Sequence, residues 1–332
     1  MPEGISSTVE KTAPAGDDLE SQDMFSEKSR QKMATVFFLL PALLLIGVFS
    51  YVSFLLTLGL SFFDDVTWLP ASQPTFSGLS NYAKVLQYDL FWTSLRNVVL
   101  FVVLFVVAAL LVGLIIASLM EQKVKGLGFF RVAYFMPMVV SAAATAWIFK
   151  ILFDPGTGIF SFPLLYVTTW LTRIGLMDSP VETLLGDART AMMGVALMAL
   201  WAGLGYYILI YTAGLRSIDP QLYESAMIDG AGFWRRTAHI TVPLLRPVIL
   251  FLSITGVIRA FQLFALIMIL PTYGENPGGP DDATQVPILL IYNIAFQQRD
   301  FGYASALAAV IFIILFVITL IQAKVGRLSS PV

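Results

Sequence analysis

Few side chains in this sequence are placed to do chemistry. Arg259 stands alone in an apolar run from Pro247 to Leu270. A charged group that deep in a hydrophobic segment is costly and points to a cavity or a partner. Gln262 follows three residues later and shares its face if the run is helical. The two could hydrogen-bond a hydroxylated solute, or Arg259 could pair with backbone carbonyls or a neighbouring subunit. A second apolar run, 191–215, carries Trp201, Tyr206, Tyr207 and Tyr211. Their rings suit the flat C–H face of a solute, with Tyr207 and Trp201 the candidates for contact. Trp and Tyr also populate membrane-interface belts and cores.

Covalent chemistry has little to work with. There are no cysteines and one histidine, His239, so thiol catalysis, iron–sulfur clusters, disulfides and His-rich metal sites are excluded. His239 reads as a helix-end or interface residue. No Ser/His/Asp set can be assembled in one compartment. Gly-Lys never occurs, so the chain lacks a phosphate loop, and any ATP that powers it is hydrolysed by another polypeptide. Gly126-x-Gly128 and Gly203-x-Gly205 lack the strand and third glycine of a dinucleotide site. Asp64-Asp65 and Asp281-Asp282 read as solvated loop charges.

The elements that position these residues follow from composition. The 332-residue chain is 57% hydrophobic and only 13% charged, with a mean hydropathy of +0.79. A water-soluble domain is about 25% charged, so this is an integral membrane protein. The net charge of −2 offers no bulk attraction to nucleic acid. A spanning helix needs about 20 mostly apolar residues. Six runs qualify: 33–63, 97–120, 132–153, 191–215, 247–270 and 303–323. Helices are expected because each backbone N–H and C=O must be paired within its segment. The small residues Ser141 to Ala146 in the third run would let another helix approach closely. The stretch 158–177 could be a seventh span, but Pro163 and Arg173 interrupt it.

Charge decides that question. Six spans with a cytoplasmic N-terminus place thirteen Lys and Arg inside and five outside (Lys84, Arg96, Arg173, Arg189 and Arg299). This is the expected positive-inside bias. A seventh span would move Arg216, Arg235, Arg236 and Arg246 outside. Six spans with both termini inside are therefore expected, with 158–177 lying at the surface. Residues 1–32 are polar with a net charge of −3 and read as a disordered cytoplasmic tail.

The loop 216–246 is neither short nor featureless. Asp219 suits an N-cap and Pro220 the first helical position. Gln221–Asp229 favours helix, and Gly230 can end it in the left-handed conformation. A second short helix near Phe233–Ile240 would stop at Pro243. Leu222, Ala226, Met227, Phe233 and Trp234 give this pair of helices more apolar surface than a linker needs, which suits docking to a soluble partner.

Glu224-Ser225-Ala226, Gly230, Ile240 and Pro243 match the E-A-A---G---------I-x-x-P signature of permease subunits of bacterial ABC importers, with Ser225 in place of the middle alanine. Leu215–Glu224, Gly78–Tyr82, Pro277–Thr284 and Ala295–Ala306 resemble the carbohydrate-uptake group of that family. The resemblance covers roughly residues 33–325 and implies an all-α type I importer permease fold with a cytoplasmic coupling-helix loop. It implies that Glu224, Ala226, Asp229, Gly230, Ile240 and Pro243 couple the spans to an ATPase subunit. It also implies a second permease, two ATPase subunits using ATP and Mg, and an extracytoplasmic solute-binding protein. The chain would reside in the bacterial inner membrane, catalyse no covalent chemistry, and pass a sugar or oligosaccharide. Alternatives are another solute (polyol, glycerol phosphate or nucleoside) or an ion-coupled secondary transporter. The last would need carboxylates within the spans, which hold none.

Overall fold

The computed structural model describes residues 33, 35–67, 73–121, 126–270 and 277–328. The tail 1–32 expected from sequence lies outside the described residues, as do Lys123 and Lys125 of the charge count. The chain divides into two compact units between Thr57 and Leu58. The first holds most of helix α1 (Thr35–Leu60), whose most apolar stretch has no buried residue. Apart from α1, every feature below belongs to the second.

Five helices are long and apolar enough to cross a membrane: α1, α3 (Asp89–Met120), α7 (Ala191–Leu215), α10 with α11 (Arg246–Ile269), and α13 (Phe301–Leu328). A sixth crossing is made only if α4 (Leu127–Val139) and α5 (Ala142–Leu152) count as one span. They meet at a bend of 103°. The bend falls inside the third apolar run. Pro137 removes one helical donor near the end of α4. Val140 is extended, and Ser141 then caps α5 by accepting from the Ala144 amide at 3.2 Å. The span 247–270 is also interrupted. The helix α10 (Arg246–Phe261) ends at Gln262 and resumes as α11 (Ala265–Ile269).

The stretch 158–177 contains a helix, α6 (Ser161–Arg173), of 13 residues, too short to span. The segment after it is pinned by polar contacts. Thr183 donates to the Phe153 carbonyl at 2.6 Å, and Arg189 grips Asp187 through Nε and a second nitrogen at 3.0 and 2.6 Å. A short apolar helix, α12 (Pro287–Gln297), precedes α13 and has no counterpart in the six apolar runs.

The core is the contact of α3 with α7, flanked by α4 and α10. Gly113 on α3 faces Tyr207 and Tyr211 of α7. Both tyrosines are almost wholly buried. The middle of α10 and the last third of α13 are joined by a hydrogen bond from Gln322 Nε2 to Ser253 Oγ at 3.0 Å.

Two buried asparagines organise the opposite end of the bundle. A two-stranded hairpin pairs β1 (Phe63–Asp64) with β2 (Thr75–Phe76), followed by helix α2 (Ser80–Gln87). Asn81, fully buried, donates from Nδ2 to the carbonyls of Ser61 and Phe63 at 3.3 and 3.0 Å. The Tyr82 hydroxyl meets Ser61 Oγ at 2.7 Å. This explains locally why the stretch Gly78–Tyr82 reads as it does. The Phe63 carbonyl occupies the space a side chain at Gly302 would need, so only glycine lets α13 begin against the hairpin. Asn97 on α3 donates from Nδ2 to the carbonyls of Asp282 and Gln285 at 2.7 and 3.0 Å, holding the loop that leads into α12. Asp281 and Asp282 are exposed in that loop, both with positive φ.

Candidate functional site

The loop after α7 folds as two helices joined by a tight turn. Asp219 accepts from the Gln221 amide at 2.9 Å and Pro220 occupies the first turn of α8 (Pro220–Ile228). An N-cap of this kind stabilises a helix by about 1 kcal/mol. At the other end the Gly230 amide donates to the Met227 carbonyl at 3.0 Å and the Ala231 amide to the Ala226 carbonyl at 2.9 Å. This reciprocal pair is a Schellman closure, which needs a left-handed residue at its centre. Gly230 has φ +74 and nothing within 4 Å of a Cβ position, so the need for glycine is conformational rather than steric.

The second helix, α9 (233–244), runs further than its sequence suggested. It passes through Pro243 because the turn before it widens. The Val242 amide donates to the Thr237 carbonyl, five residues back. A proline ring collides with the carbonyl four residues before it in a regular helix, and a wider turn relieves that collision. His239 sits in this turn, exposed, with Nδ1 3.0 Å from the Arg235 carbonyl. The Tyr223 hydroxyl meets Thr241 Oγ1 at 2.9 Å and locks α8 to α9.

Together these helices and the ends of α3 and α7 enclose a cleft of ≈ 550 Å³. On its α3–α7 side Arg216 Nε meets Glu121 at 3.2 Å. On its loop side lie Glu224, Met227, Phe233 and Arg236. Glu224 is exposed and makes no hydrogen bond or ion pair among the described residues. The Nε of Arg236 is buried without a hydrogen-bond partner among them. Ile228 is 88% and Trp234 67% exposed. The loop therefore offers a carboxylate and large apolar groups outward on a rigid frame. Of the residues read from sequence, Glu224, Ala226, Asp229 and Gly230 lie on α8 and its closing turn. Ile240 and Pro243 lie half-buried on α9. All six belong to one two-helix unit.

The fold agrees with known proteins. The family described as "Binding-protein-dependent transport system inner membrane component" matches residues 109–328. The chain belongs to this family. It is 33% identical over 298 residues to the probable ABC transporter permease protein YurN of Bacillus subtilis, covering 89% of this chain and 97% of that one. It is 33% identical over 292 residues to the lactose transport system permease protein LacF of Rhizobium radiobacter, covering 87% of this chain and 93% of LacF. A chain of a bacterial alginate ABC transporter, solved in complex with an alginate pentasaccharide-bound periplasmic protein, shares the fold. The TM-score is 0.72 at 20% identity, over 91% of this chain and 96% of that one. The chain is thus a multi-pass membrane permease subunit with the type I importer fold, a transport component rather than an enzyme.

The permease's span residues divide into two groups. The Arg259 guanidinium lies over the Tyr206 ring, 4.4 Å from its centroid. Such a contact contributes about 0.5–1 kcal/mol when exposed and about 2 when desolvated. Gln262 caps the end of α10 beside it, its backbone N–H donating to the Arg259 carbonyl at 3.1 Å, and both residues are exposed. Tyr207 is buried one helical turn from Arg259. It is 1% exposed, and its hydroxyl packs against Gly256 without a hydrogen-bond partner among the described residues. Trp201 stacks edge-on to Phe149 at 5.6 Å and lines a separate apolar cleft of ≈ 520 Å³ with Phe130, Tyr134 and Pro137. Arg259 and Gln262 lie together at the end of α10; Tyr207 packs against α10 three residues before Arg259, at Gly256, and Trp201 lines a different cleft.

Tyr206 is the aromatic partner that sequence reasoning passed over. Neighbouring helical residues point about 100° apart, and α7 is apolar all round, so no pattern marks which tyrosine faces α10. Arg236 was likewise passed over, although it lies six residues beyond Gly230 in the matched loop. Among the described residues no group of His, Cys, Asp or Glu could hold a metal ion.

Proposed function

We propose that this permease forms half of the translocation pathway of an ATP-driven importer for a sugar or oligosaccharide. An extracytoplasmic solute-binding protein delivers the solute, a second permease completes the pathway, and two ATPase subunits hydrolyse ATP with Mg. The chain resides in the bacterial inner membrane. Both its termini and the loop 216–246 face the cytoplasm, with 1–32 a tail preceding the permease domain 33–325. The carbohydrate assignment is supported by relatives such as the lactose permease and by the alginate importer seen with its periplasmic protein.

The observation that carries the coupling role is the two-helix loop closed at Gly230. Its short helix α8 is capped at both ends and tied to α9 by the Tyr223–Thr241 contact. A rigid body of this kind transmits a push to the spans instead of absorbing it. Glu224 supplies the polar contact to the ATPase subunit, with Ala226 and Asp229 on the same helix and its end. Ile240 and Pro243 anchor α9 beside the spans. Arg259 and Gln262 line the solute path. Tyr207 and Trp201 reach it only if the helices rearrange during transport.

The test is Glu224→Lys in the reconstituted importer. The variant is expected in the membrane at normal levels, with solute-stimulated ATPase activity and uptake reduced at least tenfold. Normal stimulated uptake would remove Glu224 from the coupling contact.

A further inference from the structure

Arg259 lies thirteen residues beyond Arg246, the first of its span, and ten before Ile269, the last. At 1.5 Å per residue that is about 20 Å from one end and about 15 Å from the other, near the middle of the bilayer. The spanning segments contain one acidic residue, Asp89, the first residue of α3. No carboxylate of the described residues pairs with Arg259. Its contact is the Tyr206 ring, 4.4 Å away, which attracts a cation but leaves its charge in place.

The backbone around Arg259 is irregular. The backbone of α10 is interrupted three residues beyond Arg259, and that of α4–α5 at Val140 and Ser141. The resumed helices α5 and α11 pack together. Tyr206 follows Gly205, where a Cβ would sit 2.6 Å from the Tyr134 carbonyl and 3.7 Å from Met138 Cβ, two residues before the break at Val140. Irregular backbone at membrane depth is tolerated where it lines a water-filled cavity or is buried in protein. In secondary transporters, interrupted helices mark the solute site near the midplane.

We infer that Arg259 selects solutes bearing a carboxylate, so that the permease carries an acidic sugar in preference to a neutral one. The inference rests on the reading of this chain as half of a sugar pathway. The solute's anion supplies the counter-charge that no carboxylate of the described residues gives Arg259, and its carboxylate can take two parallel N–H donors from the guanidinium. The Gln262 side chain is left for a hydroxyl group. Tyr206 holds the guanidinium in place between transport cycles.

The experiment is uptake by the complete importer in proteoliposomes with its own binding protein. The probes are radiolabelled digalacturonate and other acidic disaccharides, set against lactose, maltose and cellobiose. The expected result is uptake of an acidic sugar by the wild type, a loss of at least tenfold in Arg259→Gln, and substantial retention in Arg259→Lys, which keeps the charge. Uptake of neutral sugars alone would overturn the inference and leave the sugar pathway standing. Uptake of no sugar of either kind would overturn the sugar reading itself. Equal loss of both kinds in Arg259→Gln, or less second permease co-purifying with it, would make Arg259 an assembly residue and overturn its role in selection.

Discussion

The Ala231 amide donates to the carbonyl of Ala226 at 2.9 Å, turning the chain back on itself as α8 ends. The link needs φ +74 at Gly230 between them. The loop's rigidity depends on this turn and on the Asp219 cap at the other end of the helix.

Gly230→Val should therefore weaken the loop, and Gly230→Asn much less. No neighbour crowds the position, so the difference is one of backbone conformation. A left-handed L-residue costs roughly 1–2 kcal/mol, and asparagine tolerates the region best among side-chain-bearing residues. Hydrogen exchange of the amides of 221–231 reads the effect. Faster exchange in the valine variant with near-normal exchange in the asparagine variant is expected. Equal exchange in the two would refute the conformational account.

At the other end of the bundle, Gly302→Ala should destabilise the permease by about 1–3 kcal/mol, because the new methyl meets the Phe63 carbonyl and not a flexible side chain. Asn81→Leu should cost a similar amount, leaving the carbonyls of Ser61 and Phe63 without their donor. Thermal unfolding in detergent measures both. An unchanged midpoint in either variant would show that the hairpin does not hold the start of α13.

Lys84 offers a contrast. It meets Asp64 at 2.8 Å, but its side chain is 49% exposed. Exposed pairs contribute about 0–1 kcal/mol, so Lys84→Ala should leave the unfolding midpoint almost unmoved. A large fall would mean the pair is shielded in the intact importer.

These cases show which features a sequence displays. The long helices were legible because a bilayer demands uninterrupted apolar runs. The loop was legible because Asp219, Pro220, Gly230 and the anchors around them are local signals. The 103° bend between α4 and α5 was hidden inside an apolar run. Its traces were Pro137 and the capping Ser141, each compatible with a straight span. The hairpin's grip on α13 joins Phe63 to Gly302, and Asn97 reaches the carbonyl of Gln285. Contacts so distant along the chain leave no periodicity to read. The choice of Tyr206 over Tyr207 as the partner of Arg259 depends on how α7 is rotated, which its uniformly apolar surface does not encode.

The absence of cysteine makes the decisive measurement simple. A single Glu224→Cys variant can be labelled with a membrane-impermeant maleimide in right-side-out and inside-out vesicles, with and without the ATPase subunits. The expected result is labelling only in inside-out vesicles, and protection when the ATPase is bound. Labelling from the outside, or labelling unchanged by the ATPase, would contradict the account of this loop as the coupling element.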